Sequence, residues 1–123
     1  MVHIGLECLL LNQPVWLKNT RIALLSNQAS TARDLRQTRF HLLDRFPGQL
    51  TCLFSPQHGF FAEKQDNMIE SAHLNDPATG LMVYSLYGES RRPDRSMYDQ
   101  FDVLLIDIID VGTRVYTFLY TMA

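Results

Sequence analysis

The stretch F-D-V-L-L-I-D-I-I-D-V-G, Phe101 to Gly112, decides the fold. From Asp102 to Ile108 it carries an unbroken apolar run closed by polar residues. A strand with one wet face would alternate; this one does not, so it reads as a strand buried on both faces of a parallel sheet. Ile109-Asp110-Val111-Gly112 turns away, and a helix is expected to begin between Arg114 and Met122. Working outward, the same pattern recurs at Arg21 to Ser26, Leu50 to Phe54 and Leu81 to Leu86. Between the first two of these, Thr31 followed by Asp34 resembles a helix cap. The helix is expected to run to Phe46, with Leu35, Leu42, Leu43 and Phe46 on one face and Pro47-Gly48 as its stop. Gly5 to Leu11 reads as a short helix halted before Pro14, and Ser96 to Gln100 as another. Strands that alternate with helices imply an α/β domain, a parallel sheet flanked by helices in three layers.

The 123 residues predict one domain, long enough to bury a sizeable core. The composition is that of a soluble globular chain, 46% apolar and 20% charged, with a net charge of −2. No basic cluster exceeds the pair Arg91-Arg92, so no nucleic-acid partner is expected. No run approaches the ~18 apolar residues of a membrane span. The run from Ile4 to Leu11 lacks the basic flank of a signal peptide, so the chain is expected to be cytoplasmic if complete and exported if a signal precedes it. Cys8 and Cys52 both fall in apolar runs and are expected to be buried free thiols. A last helix that stops at Ala123 suggests a truncated domain, and the edge that a missing half leaves would favour self-association.

In an open parallel sheet, ligands bind beyond the carboxyl ends of the strands. Those ends carry Ser26-Asn27-Gln28, Ser55-Pro56-Gln57-His58-Gly59, Tyr87-Gly88-Glu89 and Asp107-Ile108-Ile109-Asp110. No G-x-G-x-x-G follows the first strand and no G-x-x-x-x-G-K-[ST] exists, which argues against dinucleotides and nucleoside triphosphates. The four histidines lack metal-ligand spacing. Asp107 and Asp110 are hard oxygen ligands in principle, but they read better as a strand end and a turn; no metal or cofactor is expected. The polar stretch from Ala62 to Gly80 has no period, and a loop that long in a compact domain usually has a use.

Five words then carry a resemblance: G-L-E-C-L-L from Gly5, L-L-S-N-Q-A from Leu24, L-F-S-P-Q-H-G-F from Leu53, D-P-A-T-G-L-M-V-Y-S-L-Y-G from Asp76, and F-D-V-L-L-I-D-I-I-D-V-G-T-R-V-Y-T-F from Phe101. In order and spacing they resemble the exo-β-N-acetylmuramidase (NamZ-type) glycoside hydrolases, formerly a domain of unknown function. The resemblance implies a Rossmann-like N-terminal domain that shares a site with a C-terminal domain, and a peptidoglycan fragment or other muramic-acid-containing sugar as partner.

Two departures matter. The family reads S-P-E-H-G where this chain has Gln57, and D-I-Q-D-V-G where it has Ile109. The resemblance implies that the family's glutamate is the catalytic acid. Glycosidic cleavage needs a proton on the leaving oxygen, and an amide cannot deliver one. Gln57, His58 and Asp110 therefore mark an altered catalytic position, and the chain is expected to be impaired or inactive alone. Asn27, Gln28, Glu89, Arg114 and Tyr116 are candidate substrate contacts. Each also has a plainer reading: Asn27 as a turn cap, His58 and Glu89 as solvated turn residues, Arg114 as a partner of Asp110, and Tyr116 and Tyr87 as packing. Arg114 has the fork geometry to hold a lactyl carboxylate. The alternative to an enzyme is a non-catalytic sugar-binding module or a degenerate interaction domain.

Overall fold

The computed structural model describes residues 1–56, 73–88, 91–110, 112 and 118–123. Helix α1 (Gly5–Leu11) leads into strand β1 (Ile22–Ser26), helix α2 (Thr38–Arg45) and strand β2 (Leu50–Ser55). Strands β3 (Leu74–Asn75) and β4 (Met82–Ser85), helix α3 (Arg95–Tyr98), strand β5 (Val103–Asp107) and helix α4 (Phe118–Met122) follow. The strands form one sheet in the order β3-β4-β2-β1-β5. All pairings are parallel except β3 with β4, which is antiparallel.

The apolar runs sort by parity onto the two faces, as the two-residue period of a strand requires. Ile22, Leu24 and Leu53 pack with Leu42 and Phe46 of the α2 side, and α1 adds Leu6 and Leu9. Ala23, Leu25, Cys52 and Phe54 face the other way, against Leu86 and Met97 of α3. Phe54 meets Phe101 edge-on, with ring centres 5.8 Å apart. The sheet is thus the middle of three layers, and its helix-to-sheet alternation follows the sequence expectation.

Several expectations need correction. The helix expected from Thr31 starts only at Thr38. Asp34 Oδ1 instead accepts the Arg36 N–H at 3.0 Å, and Leu35 adopts φ 63°. Thr31 bridges back to Gln37, which closes a small loop. A short side chain that bonds its own backbone competes with helix, and here it wins. Leu35 is consequently 82% exposed and does not share the face of Leu42 and Phe46. Cys8 is exposed, whereas Cys52 is buried, and both are free. The polar stretch before Gly80 contains β3, a two-residue edge strand too short to leave a periodic signal. The expected start of the last helix at Arg114 lies outside the described residues; α4 is described from Phe118.

Candidate functional site

Counted in chain order, the parallel strands β1, β2, β4 and β5 lie third, second, first, fourth across the sheet. In such an order the chain winds both ways from β1, and a crevice opens where the directions part. Here that point is the carboxyl end of β1 beside β5, where Ser26 and Asp107 are register partners.

Asn27 occupies this point and is buried. Its Nδ2 donates to the Ile109 carbonyl at 2.8 Å, and its Oδ1 accepts the Ile109 N–H at 3.4 Å. The amide therefore imitates one more residue of ladder between the two loops. Ser30 completes the knot. Its hydroxyl accepts the Asn27 N–H at 3.0 Å and reaches both Asn27 Oδ1 and the Asp107 carbonyl. Thr38, the first residue of α2, donates its hydroxyl to the Asp107 carboxylate, with the Ser30 carbonyl 3.2 Å away. These bonds share their partners, so the rim is held as a unit.

The other candidates separate around this knot. Gln28 is exposed on the same turn. Asp110 is exposed and accepts the Gly112 N–H at 3.1 Å, which makes it a turn former in a loop whose glycine has φ 68°. Ile109 is held by its backbone, while its side chain is 47% exposed. Gln57, His58, Glu89, Arg114 and Tyr116 lie outside the described residues.

Ser30, Thr38 and His73 join the site without having been expected there. His73 Nδ1 accepts the Ser85 N–H at 2.9 Å at the carboxyl end of β4, and its ring meets Tyr84 edge-on. That bond leaves Nε2 as the protonated nitrogen of the neutral ring. Burial pushes the Tyr84 hydroxyl above its ordinary pKa. Asp94 is held below the usual carboxylate range, first by the Ser96 hydroxyl and then by the Met97 N–H it caps. In this part of the chain the sequence marks Tyr87-Gly88-Glu89 as a strand end, and nothing in it marks His73.

Two cavities flank the rim. One, of about 410 Å³, lies between α1, α2 and the ends of β1 and β5; Leu24, Leu42, Leu105, Thr38, Asp107 and Ile109 line it. The other, of about 580 Å³, lies on the α3–α4 face over Leu25, Phe54, Leu86 and Leu104, with Arg91 and Arg92 at its edge. Among the described residues no cluster of three His, Cys, Asp or Glu side chains is placed to hold a metal. No described helix is long and apolar enough to cross a membrane.

The family model for the N-terminal part of the exo-beta-N-acetylmuramidase NamZ matches residues 22–123. The chain belongs to this family. A relative in Bacillus subtilis strain 168, the peptidoglycan beta-N-acetylmuramidase NamZ, is 38% identical over 122 residues. That match takes in 99% of this chain and 29% of the relative. Two solved structures of DUF1343-family proteins from Bacteroides fragilis NCTC 9343 share the fold. One has a TM-score of 0.82 at 33% identity, the other 0.70 at 31%; each match covers 98% of this chain and 29% of the other. The chain thus spans under a third of the length of the relatives it matches. The family expected from the five words is the family found, and so is the α/β fold with its mostly parallel sheet.

Proposed function

We propose that this chain is the sugar-binding N-terminal part of a peptidoglycan β-N-acetylmuramidase-like protein and does not cleave its ligand unaided. The observation that carries the reading is 38% identity to the Bacillus relative in a match that covers 99% of the chain, joined to a polar rim at the carboxyl ends of parallel strands. The ligand class is a muramic-acid glycoside from peptidoglycan. Asn27, Ser30 and Thr38 hold the β1 and β5 loops in place, with Gln28 and Asp110 on those loops as contacts for the sugar. His58, Glu89, Arg114 and Tyr116 belong to the same group of contacts.

Gln57 favours binding over hydrolysis. Its amide matches the shape of a glutamate and can donate a hydrogen bond to the glycosidic oxygen, but it holds no transferable proton at neutral pH. Loss of a general acid typically costs ~10²–10⁴ in rate. A chimera tests this: this chain replaces the matched segment of the Bacillus relative. The chimera should bind a muramic-acid-terminated disaccharide with little turnover, and Gln57→Glu should raise turnover by roughly 10²-fold or more. A chimera that binds but gains nothing from Gln57→Glu would show that the acid is not the missing part, and Ile109→Gln would be the next variant to restore.

A further inference from the structure

We propose that Arg91 is the specificity residue that holds the carboxylate of an acidic sugar, in the 580 Å³ cavity on the α3–α4 face. The inference rests on the sugar-binding reading above and names which side chain selects the acid.

Four arginines have carboxylate partners: Arg21 with Asp102, Arg33 with Glu7, Arg36 with Asp44 and Arg39 with Asp76. Arg91 has none among the described residues. Its guanidinium instead lies over the Tyr87 ring, 4.6 Å from the ring centre. That contact engages the flat face of the group. The N–H edge, the part that pairs bidentately with a carboxylate, stays available. Asp94, three residues further on, spends Oδ1 on the Ser96 hydroxyl and the Met97 N–H of its own helix.

The cavity suits a ring as well as a charge. Its floor is Phe54 and Leu86, and Tyr98 and Tyr120 stand at its sides. Tyr120 is 82% exposed, a large aromatic face left in water at the mouth of a pocket, as sugar rings and other amphipathic bodies require. Leu25, Phe54 and Ile106 lie one residue before the ends of β1, β2 and β5, so this floor runs directly beneath the rim. The cavity on the opposite face offers an anion the reverse: among the described residues its lining has no cation, and it includes the Asp107 carboxylate. An acidic ligand is therefore drawn to the α3–α4 side.

The test titrates this chain, followed by NMR, with three probes: the methyl β-glycoside of N-acetylmuramic acid, its lactyl carboxamide, and sodium lactate. The free acid should bind roughly tenfold more tightly than the carboxamide, as a charged hydrogen-bonded pair gives. Arg91→Gln should erase that ratio while it leaves carboxamide binding unchanged, and Arg91→Lys should restore it only in part. A ratio that survives Arg91→Gln would overturn the proposal, with Arg114→Gln then placing the carboxylate elsewhere. If neither glycoside binds, lactate separates the two readings. Lactate shifts at Tyr87 that vanish in Arg91→Gln would keep the anion site and remove the sugar; no lactate shifts would remove both.

Discussion

Asn27 spends its side chain on Ile109, a residue 82 positions away. A backbone pair at the end of a ladder has no further strand to bond to, and a side-chain amide offers a donor and an acceptor on separate atoms, as a peptide group does. Alanine there would leave the Ile109 N–H and C=O short of partners in a part-buried place. Asn27→Ala should cost about 1–3 kcal/mol, read as a lower urea midpoint. The larger effect should fall on the loop: amide exchange at Ile109 should accelerate more than exchange in β2. Equal acceleration throughout would mean that Asn27 supports the global fold and not the rim.

Among the elements, α2 is tied to the sheet by a buried ion pair. Arg39 Nε meets Asp76 Oδ2 at 2.8 Å, and both side chains are buried. Asp76 also accepts the Thr79 hydroxyl at 2.7 Å and the Ala78 N–H at 3.2 Å, so one carboxylate shapes the turn before β4 and anchors the helix. Asp76→Ala should cost about 3–5 kcal/mol, because it leaves a buried guanidinium without its anion. Adding Arg39→Met should recover part of that loss; a double variant less stable than the single would contradict the charge argument.

The same scale explains what could be read from sequence. Strands β1 and β2 were legible because burial on both faces demands unbroken apolar runs; β4 and β5 carry the same kind of run although they are only partly buried. Helix α2 was misplaced at its start because Asp34 has the chemistry of a cap but uses it on Arg36. β3 escaped because two residues have no period. At the site, strand ends located the rim, yet Ser30 and Thr38 were invisible. Their bonds to Asp107 cross 77 and 69 residues, and nothing local in a serine or threonine announces such a partner.

At the scale of the molecule, β5 is the unbalanced part. Its sequence is that of a central strand, but it pairs only with β1 among the described residues, and Ile106 is 47% exposed. An apolar strand with an open edge invites another strand. The chain should self-associate as its concentration rises, seen as growing sedimentation coefficients, and Ile106→Lys should hold it monomeric. A monomer at all concentrations would mean that the β5 edge is covered.

In the proposed function, the rim of this α/β unit binds a muramic-acid glycoside and leaves it intact. The direct measurement is an NMR titration of this chain with a muramic-acid-terminated disaccharide, with protein amides and sugar anomeric signals followed in one tube. Shifts should be confined to the strand ends, Asn27, Ile109 and Arg91 foremost, while the anomeric signals persist unchanged. No shift at millimolar disaccharide would contradict the sugar site, and new anomeric signals would contradict the role assigned to Gln57.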